Sequence, residues 1–290
     1  MKASAALLKE DGSINFAGTG ITDVELAQLA SDLPNDLRAI YLLDTKVTDV
    51  GLPALRRFRG LQVLDLHGTA VTDVGMAELA LLTELQHLLL DQTRITDAGL
   101  LTLRALTALQ GICLACTAIT DAGLATLSPL TALQGIRLAR TAITDAGLAT
   151  LAHFRKLQRL NLSNTRITNA GLLALRALTA LEHLDLSGTG TTDEGLEALS
   201  PLTALKSLYL IRTGVTDAGM PALTWLTALR ELHLWDTAAI TDAGLLALTL
   251  TAPALELIQL GASPGITEAG LQALRQRYPG AKIIVYPLAA

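Results

Sequence analysis

Two cysteines, Cys113 and Cys116, stand in a Cys-x-x-Cys pattern, the spacing in this chain that most directly suggests chemistry. Such a pair can hold a metal or exchange thiol and disulfide. A zinc site needs four ligands, however, and the chain has no second pair of this kind. A redox pair usually stands at a helix N-terminus, whereas Cys116 precedes a turn. We interpret both cysteines as variable surface residues and keep a small-ligand, metal or redox sensor, centred on them and His87, as the alternative.

The histidines do not form a catalytic or metal-binding pattern. There are five, at positions 67, 87, 153, 183 and 233, and their spacing is not that of metal ligands. The chain also lacks a nucleophile elbow, a phosphate-binding glycine loop and the H-E-x-x-H motif. His87 with Asp65 or Asp91 could mimic an acid/base pair, but open strands offer no water-excluding pocket. We therefore expect no enzyme, no cofactor and no metal site.

Composition narrows the class of protein further. The 290 residues are 50% hydrophobic but only 3% aromatic, which favours many small, similar layers over one large packed centre. No apolar run approaches 18 residues, so no membrane-spanning helix is predicted. A net charge of −5 argues against nucleic acid as a partner. With no export signal and only two cysteines, the sequence predicts a cytoplasmic protein, expected to be a monomer.

Internal repetition organises nearly the whole chain. Aligned repeats begin at residues 11, 37, 61, 85, 109, 133, 157, 181, 205, 229 and 255, and each is 24 or 26 residues long. We number positions within a repeat from these starts, and in the repeats that begin at 229 and 255 one extra residue after position 10 is left out of the count. The predicted organisation is an N-terminal flank over 1–10, eleven repeats forming one solenoid domain over 11–280, and a capping strand with its tail over 281–290.

Each repeat predicts a strand, a turn and a short helix. Leu61, Leu64 and Leu66, at positions 1, 4 and 6, alternate like a half-buried strand, and Met76 and Leu79, at positions 16 and 19, have helical spacing. Position 12 is Thr in every repeat, an N-cap, and position 13 is Asp in nine, where an anion favours the helix dipole. Position 15 is Gly in ten, which implies close approach of a neighbouring repeat.

Two further features concern the turns and the ends. Position 9 is Thr in ten repeats and Ser263 in the last, consistent with hydroxyls that satisfy backbone groups where the strand turns away. The first repeat is imperfect, with Ile14 and Phe16 at its inward strand positions and Glu25 in place of Gly. At the other end the stretch AKIIVY, residues 281–286, predicts a twelfth strand.

The repeat resembles the leucine-rich repeat family, in the subtype L-x-x-L-x-L-x-x-T-x-[IV]-T-D-x-G-L-x-x-L found in tandem bacterial proteins. It is also similar to the cysteine-containing repeats of F-box proteins, although Thr117 and Thr141 stand where those carry Cys. The resemblance implies an α/β solenoid: a right-handed horseshoe with a parallel, concave β-sheet and short convex helices. Its concave face usually binds another protein, and the resemblance implies no particular partner.

Positions 3 and 5 should point outward on the strand face, with 7 and 8 on the adjoining rim. Position 5 shows no preferred residue type, unlike the scaffold positions. Parallel strands place equal positions of consecutive repeats side by side. An aromatic surface is therefore predicted, which we call the aromatic patch: Tyr209, Ile211, Arg212, His233 and Trp235. Tyr, Trp and Arg are enriched at binding hot spots. Alternatively, Trp235 folds onto Ala238 and Ala239.

A basic group on adjacent repeats, Arg137, Arg140 and Arg159, could hold an acidic part of a partner. The alternative is a solvated face neutralised by acids such as Asp185. Beside this group, four small residues predict a shallow depression: Gly111, Ala115, Gly135 and Ala139.

Together these observations predict a non-enzymatic module that binds an unidentified protein or peptide on its concave face. Besides the sensor, the other alternative is a purely structural scaffold, as in a recently duplicated or engineered repeat protein.

Overall fold

The computed structural model describes residues 8–237, 240–250 and 255–287. The chain folds as two compact units, Met1–Ala142 and Ile143–Ala290. In both units a short strand alternates with one or two short helical segments, as the repeat predicts.

The first unit has strands that pair in parallel, each with the next along the chain. The described strands are β1 (Ser13–Asn15), β2 (Ala39–Tyr41), β3 (Val63–Asp65), β4 (His87–Leu89), β5 (Gly111–Cys113) and β6 (Gly135–Arg137). The α-helices are α1 (Asp23–Asp32), α2 (Asp73–Leu79), α3 (Asp97–Leu101) and α4 (Asp121–Thr126); the 3₁₀ segments are η1 (Leu52–Arg57) and η2 (Thr102–Ala105).

The second unit has the same order, and its strands also pair in parallel. Its described strands are β7 (Arg159–Asn161), β8 (His183–Asp185), β9 (Ser207–Tyr209), β10 (Glu231–Leu234), β11 (Leu257–Gly261) and β12 (Lys282–Tyr286). Its helical segments are α5 (Asp145–Leu151), α6 (Asn169–Leu172), η3 (Leu173–Ala177), α7 (Asp193–Leu196), η4 (Glu197–Leu199), η5 (Asp217–Trp225), α8 (Asp242–Ala247) and α9 (Glu268–Arg277). The predicted final strand is confirmed as β12.

The core of each unit lies between its strands and its helical segments. Leu64 and Leu66 are fully buried, and so are Met76 and Leu79 on the helix of the same repeat. Equivalent leucines and isoleucines are buried in the neighbouring repeats. Because each repeat contributes only a strand edge and one helical turn, it can bury these side chains only against the next repeat.

The threonine at position 12 caps its helix as predicted in most repeats, although Thr192 makes no such hydrogen bond, and the aspartate at position 13 has a second contact that the sequence did not predict. The Thr72 hydroxyl accepts a hydrogen bond from the Val74 N–H. Asp49, one repeat earlier, accepts the Thr72 N–H at 2.8 Å and the Thr72 hydroxyl at 2.6 Å. The same arrangement recurs along both units. The aspartate therefore links consecutive repeats.

This link explains the glycine at position 15. A Cβ on Gly99 would lie 2.4 Å from the Asp73 Oδ1 atom of the preceding repeat, far inside contact distance. The predicted close approach is confirmed, and the group that approaches is the linking carboxylate.

Two differences from the predicted repeat concern backbone conformation. Position 8 has positive φ in the first ten repeats, even when it is Gln92 (φ 56°) or Arg140 (φ 56°), but not at Ala262 in the last. The tight turn before the position-9 threonine requires this left-handed residue. In addition, η1 and η5 are 3₁₀ rather than α-helical, and each contains a proline, Pro53 or Pro221, which removes an amide donor.

Candidate functional site

The aromatic patch lies at the ends of β9 and β10 in the second unit. The register pairs Tyr209 with His233, as the repeat alignment predicts. Their rings stack with centroids 4.0 Å apart and planes inclined by 8°. Offset or stacked rings on adjacent strands form a rigid apolar surface with a polar edge. The sequence thus predicted this pair correctly.

His233 is buried, whereas a residue that contacts a partner is expected to be exposed. Only 5% of its surface is exposed, because Tyr209 covers one side and Gln259, on β11, lies on the other. Its Nδ1 atom is 2.8 Å from the Gln259 Oε1 atom. Its Nε2 atom is buried without a hydrogen bond and lies 3.6 Å from a carboxylate oxygen of Glu231. His233 therefore supports Tyr209 from beneath, and its direct contact with a partner stays a prediction.

Glu231 organises the polar side of the aromatic patch. One carboxylate oxygen accepts hydrogen bonds from the Ser207 hydroxyl at 3.1 Å and from the Tyr209 hydroxyl at 3.3 Å. Burial, reinforced by the negative charge of Glu231, raises the pKa of the Tyr209 hydroxyl. The Tyr209 ring is thus held by the Glu231 carboxylate at its hydroxyl and by His233 on one face, and it stays partly exposed.

Trp235 reaches across the next strand rather than lying alone. Its ring lies 5.8 Å from the ring of Tyr286 on β12, at a tilt of 47°. Gly261, between them in β11, has no side chain, and a Cβ there would lie 2.8 Å from the Asp236 amide nitrogen. The glycine therefore allows the close approach of β11 to the backbone of Trp235 and Asp236. Ala238 and Ala239, the alternative contacts of Trp235, lie outside the described residues.

Ile211 and Arg212 complete the aromatic patch on its rim. Ile211 is partly exposed and Arg212 is exposed. The Arg212 guanidinium donates to the Asp236 carboxylate at 2.7 Å, the neighbour that the alignment predicts. Since both side chains are largely in solvent, this pair contributes little stability and can exchange for a partner's groups.

The basic residues have different surroundings. Arg137, on β6, places a guanidinium nitrogen 3.4 Å from Asp91, whose side chain is almost fully buried. Arg140 is exposed in the left-handed turn that follows, and Arg159, on β7, is exposed in the second unit. Asp185, the acid named in the alternative, accepts a hydrogen bond from the Asn161 amide at 3.0 Å. Asp91 compensates the charge of Arg137, and Arg159 faces the Glu182 carboxyl, whose pKa is lowered first by its hydrogen bond with Lys206 and less strongly by Arg159.

The predicted depression is partly filled. The His87 ring lies over Gly111, since a Cβ on that glycine would be 2.6 Å from the His87 Nδ1 atom. The sequence identified the missing side chain but not the neighbouring imidazole that occupies its place.

The two cysteines do not form a reactive pair. Both are free; Cys113 is partly buried and Cys116 is exposed. Burial, with the nearby carboxylate of Asp91, raises the pKa of the Cys113 thiol to about 11. Redox-active cysteines instead have lowered pKa values. Within the described residues, no three His, Cys, Asp or Glu side chains are grouped as a metal site requires.

One exposed aromatic residue escaped the sequence interpretation. Trp225, the last residue of η5, is 63% exposed on the helical side of the second unit. The repeat alignment could have revealed it, because position 21 is otherwise a small, polar or aliphatic residue in its neighbours. A search limited to the outward strand positions does not find Trp225, because it lies on a helical segment.

Comparison with known proteins supports the fold. A family model described as leucine-rich repeats in two copies matches residues 155–202. The crystal structure of an internalin (inlF) from Listeria monocytogenes superposes with a TM-score of 0.64 at 19% identity, covering 98% of this chain and 88% of that one. The comparison with curated proteins finds no match. The fold is that of a leucine-rich repeat solenoid. No helix in the described ranges is long and apolar enough to cross a bilayer.

Proposed function

We propose that this leucine-rich repeat chain binds a protein or peptide through the aromatic patch on the strand face of its second unit. The observation that carries the proposal is the pair of aromatic contacts there: Tyr209 stacked on His233, and Trp235 against Tyr286. The rings are held by neighbouring strands rather than by loops. Rigid aromatic side chains give large contact area with little entropy lost on binding.

The distribution of residue types supports the same proposal. Scaffold positions repeat Leu, Thr, Asp and Gly, whereas the outward strand positions change from one repeat to the next. Folding alone does not require Tyr209 or Trp235, because the buried leucines beside them are the same as in other repeats. We assign the main contacts to Tyr209, Ile211, Arg212 and Trp235, with His233 holding Tyr209 from below.

The exposed arginines Arg137, Arg140 and Arg159 contribute attraction for an acidic part of the partner in this proposal. Charges at this exposure act mainly on the rate of association and are screened by salt. Arg137 contributes least, since Asp91 already compensates its charge. A sensor centred on Cys113 is not favoured, because the raised thiol pKa opposes formation of the thiolate.

The test is capture of binding proteins from cell extract on immobilised protein, followed by mass spectrometry. Wild type is compared with the Tyr209→Ala/Trp235→Ala double variant. Trp225→Ala is the matched control, because it also removes an exposed indole but lies on a helical segment. A protein retained by wild type and Trp225→Ala but lost from the double variant supports the proposal. Identical capture by all three contradicts it.

A further inference from the structure

A second surface of the same unit combines exposed apolar side chains with a cleft. Trp225 and Leu173 are 63% and 59% exposed, unusually high for large hydrophobic side chains. Both line a cleft of about 920 Å³ that runs along η3, α7, η4 and η5. Pro221 and Ala222, whose side chains are short, also line the cleft beside the exposed Trp225.

The charges in this cleft are predominantly negative and not compensated. Glu194 and Glu197 line it and are exposed, and their side-chain carboxylates make no ion pair or hydrogen bond with any residue in the described ranges. Asp193 also lines it but is occupied by the Thr216 amide and hydroxyl. Arg176 is the single cationic side chain of the lining.

Both carboxylates break the repeat pattern. Position 14 is Val or Ala in all other repeats, and Glu194 is its only charged residue. Position 17 is uncharged in all other repeats, and Glu197 is its only acid. The helix scaffold therefore does not require a carboxylate at either place. Glu194 and Glu197 thus stand in one repeat, and they line the same cleft as Trp225, one of the two tryptophans of the chain. The same helical positions of the other repeats lack this combination.

We propose that this cleft docks a short cationic segment of a second protein, other than the partner of the aromatic patch, in which an arginine stands beside an apolar residue. The guanidinium stacks on the indole of Trp225 and pairs with Glu194 and Glu197, while the apolar residue covers Leu173. Tryptophan is the strongest cation–π acceptor among side chains, and an arginine plane can stack and pair at the same time. An acidic segment is excluded by repulsion from the two unpaired carboxylates. This surface is separate from the aromatic patch and does not depend on it.

The test uses fluorescence from Trp225 alone. A Trp235→Phe chain retains one tryptophan, so its emission reports only on the cleft. The probes are acetyl-Arg-Leu-Arg-Leu-Arg-amide and the same peptide with glutamate in place of arginine. We expect the arginine peptide to change the emission saturably, with affinity that falls as salt rises, and the glutamate peptide to have no effect.

Two charge variants in this Trp235→Phe chain show whether the peptide's affinity depends on the carboxylates of the cleft or only on the net charge of the protein. Glu194→Gln/Glu197→Gln and the control Glu10→Gln/Glu84→Gln both change the net charge from −5 to about −3. We expect at least about tenfold weaker binding in the first and unchanged binding in the second. Equal affinity in both, or no saturable change in the parent chain, would overturn the proposal. So would a change in emission with protein concentration alone, since the occupant would then be a second copy of this chain.

Discussion

Replacement of Gly99 by alanine probes the contact between consecutive repeats. The new methyl group would lie 2.4 Å from the Asp73 Oδ1 atom, so the carboxylate has to leave its position. Asp73 accepts three hydrogen bonds there: from the Thr96 N–H at 2.7 Å, from the Thr96 hydroxyl at 2.6 Å and from the Gly99 N–H at 3.0 Å. All three break or lengthen in the variant.

The size of the effect follows from these contacts. Each hydrogen bond contributes about 1 kcal/mol at this partly exposed place, so their loss costs about 3 kcal/mol. Alanine recovers about 1 kcal/mol of helix propensity, because Gly99 lies within α3. The free energy of unfolding should therefore fall by about 2 kcal/mol in Gly99→Ala and by about 3 kcal/mol in Asp73→Ala. In the double variant the clash is absent, and the methyl group becomes stabilising by about 1 kcal/mol.

The assay is urea unfolding of the whole chain followed by circular dichroism, for wild type, both single variants and the double variant. The double-mutant cycle should give a coupling of about 3 kcal/mol between Asp73 and Gly99. Gly60→Ala is the control, since no atom lies within 4 Å of its added Cβ, and it should be nearly neutral. Additive effects of the two single variants would refute the view that the glycine is needed for the linking carboxylate.

Three further predictions test other parts of the structure. Gln92→Gly should raise the free energy of unfolding by about 1 kcal/mol, because it relieves a left-handed non-glycine residue, and a loss of stability would contradict this. Iodoacetamide at pH 8 should alkylate the exposed Cys116 at least about tenfold faster than Cys113, whose raised pKa suppresses the thiolate; equal rates by peptide mapping would be inconsistent with it. Hydrogen bonds from Thr267 lower the pKa of Asp242 below its usual 3.8, so its carboxylate stabilises the fold above that pH, and the contribution is lost as pH falls through the lower, folded-state value. The stability difference between wild type and Asp242→Ala should accordingly shrink below about pH 4, as chemical denaturation at several pH values would show, and a difference independent of pH would count against the link.

The repeat pattern predicted the strands, helix starts and core because these depend on contacts that recur in every repeat. Leucines that alternate along a strand lie on one face, which is the face that is buried. A threonine directly before a segment with helical spacing of apolar residues predicts the N-cap of that helix. Parallel strands pair at equal positions of consecutive repeats, whether these are 24 or 26 residues long. For that reason Tyr209 and His233 were predicted as neighbours, and they are found stacked.

The remaining features depend on three-dimensional proximity that a pattern does not encode. Asp49 reaches the next repeat because the stacking brings its carboxylate beside Thr72, and a sequence shows only that it stands in a first helical turn. His233 is buried because Tyr209 leans over it, although both occupy an outward strand position. Trp225 lies on the helical side, where the alignment predicts no binding residues.

The most direct test of the central claim is the equilibrium dissociation constant of a captured partner, measured by interferometry on immobilised protein. The account predicts that Tyr209→Ala/Trp235→Ala weakens binding by at least about 2 kcal/mol, roughly 30-fold, while the midpoint of urea unfolding changes little. Trp225→Ala should bind that partner as wild type does. An unchanged dissociation constant in the double variant would contradict the assignment of the strand-face aromatic patch as the binding surface.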